Sequence, residues 1–453
     1  MLAGKFTNAP HVHRARALLD SRDMSRNPIA VFERYRARLG ATFTVHFGGV
    51  KPAVVTTDPV VIEHVLRGNR SNYEKSHIQT ERMVEFQGQG LVNIHGEAWL
   101  RQRQLLAQGF KANHLAKLLP VQQDVLHELM LEFDRDARQG PVDVHEQMVR
   151  FTLRLVGRAI FGRSMRNEEL EQIGDAIARI QAFILRQIVQ PYRIPWFRLT
   201  GQSERHQRLR RNAEAIALQH IQSRRAEGVG DTDLLRILLE SPYRDSGTPM
   251  PEPLALIESL QLLVAGNETS SNALTWILYL LARHPEHILA IRAEVDSVIG
   301  DDPMDFHNLH QLGCTMRVID EALRLYPPFW MIDRIALEDD EIAGVRVPSG
   351  AMVIPYIYGA HRNPEHWSEV ERFDPRRFEP DRVEARHPFA YVPFGGGPRI
   401  CLGGNMALMQ MLLIVATFVR RYDFTMATDG PVAIQPMMLL RPRGPVAMNF
   451  RAV

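Results

Sequence analysis

The chain contains few cysteines and no long hydrophobic run. Only two of its 453 residues are cysteines, Cys314 and Cys401, and no secretory signal opens the sequence, so we expect no disulfide framework. Cys314 is interpreted as a small buried hydrophobe. The longest apolar run, Met406 to Val419, is interrupted by Gln410 and is too short to cross a bilayer. These absences predict a cytoplasmic protein without a membrane anchor.

Excess charge and internal repetition are also missing. The 54 basic and 52 acidic residues leave a formal net charge of +2, which gives no reason to expect nucleic-acid binding. Neither a repeat nor a low-complexity linker divides the chain. We therefore expect a single domain over residues 1–453.

Helical periodicity is the dominant pattern. It predicts helices near residues 26–39, 97–110, 115–136, 144–161, 168–189, 204–226, 232–240, 253–283, 285–299 and 315–325. Alternating apolar residues on both sides of Gly48-Gly49 predict a β-hairpin, and Asp58-Pro59 predicts a helix start. Strands are predicted at 341–356 and a terminal hairpin region at 431–450. The fold class is mainly α with a small β region: β-rich parts at about 40–60 and 330–360, and a helical core at about 97–325 and 402–420.

The most informative segment is FGGGPRICLG, from Phe394 to Gly403. Its glycines permit positive φ angles and let the backbone approach a flat macrocycle, because no Cβ stands in the way. Pro398 stiffens the loop, and Arg399 can pair with a carboxylate at the edge of a porphyrin. Cys401 can bind a haem iron as a thiolate, which a helix beginning at Leu402 would favour. The alternative is a glycine-rich surface turn that happens to contain a cysteine.

This segment resembles the signature of the cytochrome P-450 family, in its soluble bacterial type. The family spacing is matched by Phe394, Gly395, Arg399, Cys401 and Gly403. The resemblance implies a single-domain cytochrome P-450 fold. It also implies haem b held through Cys401, between a long oxygen-binding helix and the cysteine loop with its following helix.

Polar residues interrupt the apolar helix predicted at 253–283, in the sequence AGNETS from Ala265 to Ser270. Burying them costs free energy unless they are hydrogen-bonded or solvated. The segment resembles the family's oxygen-binding kink. The resemblance implies that Gly266 loosens the helix, that Thr269 hydrogen-bonds dioxygen and that Glu268 feeds protons from solvent. A polar stripe facing solvent is the alternative.

A second set of residues resembles the family's structural network. Glu321 and Arg324 lie three apart on one predicted helix face, which Leu-Tyr-Pro-Pro then ends. Downstream, Glu-Arg-Phe-Asp-Pro contains Arg372, preceded by Val370 where the family usually has proline. The resemblance implies that Glu321, Arg324 and Arg372 form a buried network that maintains the fold.

Further haem contacts are implied by position. Trp99 and Arg103 match the family's WxxxR pair, and Arg334 and Arg399 match further propionate-binding positions. The remaining haem contacts implied by the resemblance are Ala265, Pro393 and Ala407.

The resemblance implies a monooxygenase that hydroxylates a C–H bond of a hydrophobic small molecule with O2. The substrate would be a fatty acid, terpenoid, steroid or polyketide. The residues found in the WxxxR, Leu-Tyr-Pro-Pro and Phe-Gly-Gly-Gly motifs favour the fatty-acid-hydroxylase branch of the family. The predicted substrate-lining residues are Phe86, Phe183, Val264, Trp330, Met331, Ile332 and Met437. An apolar helix face containing Ile177 and Ile180 is predicted to belong to the core and to roof part of the cavity.

No flavin or iron–sulfur domain is recognisable, so two electrons are expected from a ferredoxin and its reductase. Docking is predicted near Arg101, Lys111, Arg362 and Arg399. The alternatives are a peroxide-driven peroxygenase and a non-catalytic haem sensor or electron carrier.

Overall fold

The computed structural model describes residues 7–47, 49, 51–227 and 233–453, so Gly48 of the predicted turn lies outside the described residues. The α-helices are α1 Arg14–Leu19, α2 Ser21–Arg26, α3 Pro28–Leu39, α4 Pro59–Glu63, α5 Val84–Gln87, α6 Gly96–Leu106, α7 Ala112–Gln139, α8 Val144–Phe161, α9 Asn167–Val189, α10 Ile194–Leu199, α11 Gln202–Glu227, α12 Leu234–Glu240, α13 Glu252–Arg283, α14 Pro285–Val298, α15 Phe306–His310, α16 Gly313–Leu325, α17 Ile357–Ala360, α18 Pro380–Glu384 and α19 Gly404–Arg421. Every helix predicted from periodicity is therefore found, with ends displaced by a few residues.

The strands are short. They are β1 Thr42–Phe47, β2 Lys51–Thr56, β3 Tyr73–Glu74, β4 Val142–Asp143, β5 Arg334–Ala336, β6 Asp340–Ile342, β7 Val345–Val347, β8 Met352–Pro355, β9 Tyr422–Met426, β10 Ile434–Pro436, β11 Leu440–Pro442 and β12 Ala447–Ala452. The chain divides into two compact units. Unit 1 comprises Met1–Ser76, Arg317–Cys401 and Ala433–Arg443, and unit 2 comprises His77–Met316, Leu402–Val432 and Gly444–Val453.

Unit 1 is built on a five-stranded sheet in the order β1-β2-β8-β5-β3. The predicted hairpin is present as the antiparallel β1–β2 pair, with Thr42 opposite Thr56. The helix start at Asp58-Pro59 is also confirmed, because the Asp58 carboxylate accepts a hydrogen bond of 2.8 Å from the Val60 N–H. The β10–β11 ladder completes this unit.

Unit 2 is helical, and α13 packs along α8 in its interior. The predicted terminal hairpin region, 431–450, contains the antiparallel β10–β11 pair of unit 1. The following strand, β12, lies between β4 and β9 in a three-stranded sheet of unit 2. An aromatic cluster of Phe133, Phe151, Phe418 and Phe450 packs at this end of the unit. In the described ranges, no helix is both long and apolar enough to cross a membrane.

Candidate active site

The cysteine loop is a closed turn at the end of unit 1. The Cys401 N–H donates a hydrogen bond of 2.9 Å to the Phe394 carbonyl, and the Ile400 N–H donates one of 3.0 Å to the Gly397 carbonyl. These bonds fix the backbone on both sides of Arg399. Cys401 is exposed and takes part in no disulfide. The following helix, α19, begins at Gly404, two residues later than predicted.

Three glycines of the loop, Gly395, Gly396 and Gly397, each have a structural reason. Gly395 and Gly397 have φ of 75° and 64°, which side chains with a Cβ rarely adopt. A Cβ on Gly397 would also collide with the carbonyl oxygen of Leu66, and one on Gly396 would lie 2.6 Å from Cε1 of Phe389. The prediction that positive φ angles are needed here is therefore confirmed at two positions, whereas Gly396 is required by packing.

A cluster of positive charge lies close to this loop within unit 1. Lys75 is mostly buried, and burial together with the charges of Arg399 and Arg334 lowers its pKa to about 7. Burial also lowers the pKa of Arg334, whose Nη1 donates a hydrogen bond of 2.8 Å to the Asp333 carbonyl. Among the four residues Lys75, Arg334, Arg399 and Asp333, only Asp333 is acidic. Three cations beside one carboxylate are suited to binding an anionic group, and the two propionates of haem b fit that requirement.

Lys75 was missed by the sequence analysis. It stands in Tyr73-Glu74-Lys75-Ser76, far from any matched motif, and nothing in that stretch indicates burial beside Arg334 and Arg399. The position of Lys75 depends on tertiary structure. Because β3 pairs with β5 at Tyr73 and Glu74, Lys75 lies at the start of β5, beside Arg334.

The polar segment lies in the middle of α13, which runs without interruption from Glu252 to Arg283. A loosening of the helix at Gly266 stays a prediction. Gly266 is needed for close packing, because a Cβ there would lie 2.9 Å from Cγ1 of Val156 on α8. The Thr269 hydroxyl donates a hydrogen bond of 2.7 Å to the Ala265 carbonyl one turn earlier. Ala265 is exposed and the residues from Gly266 to Thr269 are half-buried, whereas α13 is buried from Ser270 to Leu281. The Ala265–Thr269 face is therefore open to a ligand.

The predicted pair on α6 is also observed. The Arg103 guanidinium lies 5.6 Å from the centre of the Trp99 ring, as expected for residues four apart on one helix face. Trp99 is buried and Arg103 is half-buried. The two side chains therefore form a cation–π pair within unit 2.

Unit 2 also contains a mostly apolar cavity between α9, α11, α13 and the α5 region. Its walls include Phe86, Ile177, Ile180, Ile257, Leu260 and Val264. Two predicted substrate residues, Phe86 and Val264, are among them, and the predicted apolar face of α9 contributes Ile177 and Ile180. Its charged lining residues form an ion pair, with Arg210 Nε 2.7 Å from Glu214 Oε1.

The loop from Gly88 to Val92 follows Gln87, which lines this cavity, and is held by two side chains of α13. Glu258 accepts a hydrogen bond of 2.9 Å from the Leu91 N–H. Gln261 accepts one of 3.1 Å from the Val92 N–H and donates one of 3.2 Å to the Gly88 carbonyl. Burial raises the pKa of Glu258 to about 7, against the opposing effect of the Leu91 hydrogen bond.

A family model described as "Cytochrome P450" matches residues 15–450, nearly the whole chain. The chain belongs to the cytochrome P450 family. It is a P450 monooxygenase whose cofactor is haem b and whose co-substrates are O2 and a small molecule. The described residues fit the cofactor, because they provide an exposed cysteine in a glycine loop and three cations, Lys75, Arg334 and Arg399, beside one carboxylate.

Relatives of this P450 occur in plants and bacteria. It is 30% identical to "Cytochrome P450 734A5" of Oryza sativa subsp. japonica, over 95% of this chain and 83% of that protein. It is 28% identical to "Pentalenene oxygenase" of Streptomyces avermitilis, over 89% of this chain and 88% of that protein. The solved "cytochrome P450DA heme domain" superposes with a TM-score of 0.85 over 94% of this chain and 93% of that chain, at 23% identity, which establishes the fold.

The buried network around Glu321 and Arg324 differs from the prediction in its third side chain. Glu321 and Arg324 are fully buried and paired at 2.7 Å. The third side chain is Arg377, which lies 3.3 Å from Glu321 and is 6% exposed. Arg372 is instead 55% exposed and pairs with Glu369, so only its backbone carbonyl joins the network, by accepting a hydrogen bond from Arg324. This segment contains two Arg-Phe pairs, Arg372-Phe373 and Arg377-Phe378, and the structure buries the arginine of the second.

Predicted substrate residues outside the cavity have other contacts. Trp330 is buried in the core of unit 1, and its Nε1 donates a hydrogen bond of 3.0 Å to the Met437 carbonyl. Met331 packs against the same cluster, and Ile332 packs against its neighbour. Phe183 is stacked on His206 at 4.0 Å. For these five residues a role toward substrate stays a prediction.

Burial also corrects one of the residues predicted to meet an electron donor. The Arg362 side chain is 4% exposed, pairs with Glu371 at 2.9 Å and donates a hydrogen bond of 2.7 Å to the Leu325 carbonyl. It cannot form part of a docking surface. Lys111 is exposed, and Arg101 pairs with Asp245 at 3.0 Å.

Proposed function

We propose that this P450 hydroxylates an uncharged, lipophilic small molecule, using electrons from a ferredoxin and its reductase. The observation that carries the proposal is the open Ala265–Thr269 face of α13 in a unit that also contains an apolar cavity. Haem b, when bound, supplies the iron at which O2 is reduced and its O–O bond is cleaved. One oxygen atom enters the substrate and the other leaves as water, with two electrons and two protons consumed.

Cys401 is proposed as the residue that would hold the haem iron through its sulfur, and Lys75, Arg334 and Arg399 as residues that would pair with the propionates. For Arg103 of unit 2, the propionate-binding role is the one that the family resemblance implies. In this assignment the loop hydrogen bonds hold the sulfur in place, and the buried cations orient the two carboxylates.

Proton supply is proposed to depend on Glu268 and Thr269. The Thr269 hydroxyl lies on the open face of α13, and its bond to the Ala265 carbonyl fixes the oxygen while leaving its lone pairs available. Glu268 is half-buried next to it, where a carboxylic acid can exchange protons with solvent.

Thr269→Ala tests this role. We expect product formed per NAD(P)H consumed to fall by on the order of tenfold, because oxygen is reduced without productive proton delivery. Thr275→Ala is the matched control, since its hydroxyl makes the same kind of bond, 2.7 Å to the Ser271 carbonyl, but is fully buried on the same helix. Unchanged coupling in Thr269→Ala would contradict the proposed relay.

Faster turnover with peroxide alone than with ferredoxin would favour a peroxygenase, and no turnover with either would favour a sensor or carrier.

The charge state of the cavity supports an uncharged substrate. Arg210 is neutralised by Glu214 and also donates a hydrogen bond of 3.1 Å to the Glu85 carbonyl. A fatty acid carboxylate would have to displace Glu214, whereas a terpenoid or steroid skeleton would not. The oxygenases named for pentalenene and for cyclooctat-9-en-7-ol among the relatives support the same choice.

Glu214→Gln tests the substrate class. We expect the wild type to bind an uncharged hydrocarbon more tightly than its carboxylate analogue, and the variant to gain about tenfold in affinity for the carboxylate, because Arg210 loses its partner. Spectral titration measures both dissociation constants. Glu204→Gln, an exposed acid on the same helix, is the control. Tight carboxylate binding by the wild type would contradict the proposal.

A further inference from the structure

A single π-helical turn, His64–Gly68 (the 64–68 turn), directly follows α4 in unit 1. It is closed by the Asn69 N–H, which donates a hydrogen bond of 2.8 Å to the His64 carbonyl, five residues earlier. The π-helix is rare in proteins, and its single turns frequently lie at functional sites. The contacts of this turn therefore indicate which site it serves.

The 64–68 turn packs against the cysteine loop. A Cβ on Gly397 would collide with the Leu66 carbonyl oxygen and would lie 3.2 Å from Cα of Arg67. The preceding glycine, Gly396, is covered by Phe389, and the Arg67 guanidinium lies 5.1 Å from the centre of that ring. Leu66 and Phe389 belong to one buried apolar cluster. The turn and this ring thus form the wall against which two glycines of the loop rest.

Both ends of the 64–68 turn are held by the carboxylate of Asp340, the first residue of β6. Its Oδ2 accepts hydrogen bonds of 2.9 Å from His64 Nε2 and 3.0 Å from Asn69 Nδ2. The Tyr73 hydroxyl donates a third bond, of 2.8 Å, to the same oxygen, and the Glu341 N–H donates one of 2.8 Å to Oδ1. Burial opposes ionisation, but the hydrogen bonds lower the pKa of Asp340, so the carboxylate is charged at neutral pH.

We propose that Asp340 is a positioning residue for the cysteine loop, on which it acts through the 64–68 turn. Hydrogen bonds to an ionised acceptor are about twice as strong as neutral ones, so loss of this carboxylate would release the side chains at both ends of the turn. The Leu66 carbonyl would then no longer confine the backbone at Gly397, and the loop bonds of Ile400 and Cys401 would open more often. The proposed function is assumed in one respect, namely that Cys401 holds the haem iron.

Two neighbouring acids provide a matched pair of variants. Asp340→Ala removes the carboxylate that holds the turn. Asp339→Ala is the control, because Asp339 is exposed on the same hairpin and lies 3.8 Å from Arg346 at the surface. Asp340→Asn keeps an acceptor for His64 and Asn69 but removes the charge, so it should have an effect of about threefold where Asp340→Ala has one of about tenfold. It carries the same test if Asp340→Ala does not fold.

Amide hydrogen exchange of the holoenzyme, followed by mass spectrometry, tests the transmission from turn to loop. In Asp340→Ala the peptides that contain Asn69, Ile400 and Cys401 should exchange about tenfold faster than in the wild type, whereas the β9–β12 ladder of unit 2 should be unchanged. Asp339→Ala should exchange as the wild type does. Faster exchange at Asn69 without faster exchange at Ile400 would overturn the proposal, because the turn would then move without the loop.

The carbon monoxide difference spectrum of the reduced protein is the second readout. During mild warming, Asp340→Ala should lose the long-wavelength Soret band about tenfold faster than the wild type, with unchanged far-ultraviolet circular dichroism. Equal rates in the two proteins, or loss of the band only together with the circular dichroism, would overturn the positioning role. A wild type that carries haem but lacks the band would overturn the assignment of Cys401, and the role of Asp340 with it.

Discussion

At the scale of single residues, two arginines that lie close in sequence have opposite environments. Arg377 contacts the buried Glu321, whereas the side chain of Arg372 lies in solvent. Sequence reasoning could not separate them, because each precedes a phenylalanine and burial is decided by how the loop after α17 folds against α16. The paired motif Glu321 and Arg324, by contrast, was predictable from spacing on one helix face.

Arg377→Ala and Arg372→Ala form a matched pair of variants. We expect Arg377→Ala to lower the free energy of unfolding by about 3 kcal/mol, because a buried carboxylate loses a cation. Arg372→Ala should cost less than about 1 kcal/mol, since an exposed ion pair contributes little and its backbone carbonyl remains. Chemical denaturation followed by circular dichroism measures both. Equal losses in the two variants would contradict the assignment of Arg377.

At the scale of elements, α13 carries two groups of polar residues, and only one of them could be identified from the sequence. The polar residues from Gly266 to Thr269 were identifiable because they interrupt an apolar helix. Glu258 and Gln261, two turns earlier, gave no such signal, since isolated polar residues on a long helix usually face solvent. Their role depends on the loop around Leu91, whose N–H groups need acceptors in a buried place.

Glu258 should make stability depend on pH. Its pKa is raised from 4.5 to about 7, so the unfolded chain releases this proton at lower pH than the folded one. The folded state therefore loses stability as pH rises from about 4.5 to 7, and the loss is complete above that range. Glu258→Gln keeps an acceptor for Leu91 and removes the ionisation.

The expected result is a variant more stable than the wild type by about 2 to 3 kcal/mol at pH 8, with a difference that shrinks toward pH 5. Denaturation curves at several pH values measure it, and exposed Glu128→Gln is the control. A stability difference that does not change with pH would show that Glu258 does not titrate in this range.

At the scale of the whole molecule, the mainly α architecture and the family were predictable, and the match over residues 15–450 confirms the family. Helices were found because their periodicity is local. The order β1-β2-β8-β5-β3 was not predictable, since it pairs strands from distant parts of the chain. The single domain, the cytoplasmic location and the electron donors stay predictions.

The central claim is that Cys401 holds the haem as a thiolate. The most direct test is the carbon monoxide difference spectrum of the reduced protein, in the wild type, Cys401→Ser and Cys314→Ser. Because the chain has only these two cysteines, the second variant is a complete control. The wild type and Cys314→Ser should have the long-wavelength Soret band from which the family takes its name, and Cys401→Ser should lack it. The band persisting in Cys401→Ser, or missing from the wild type that carries haem, would contradict the account.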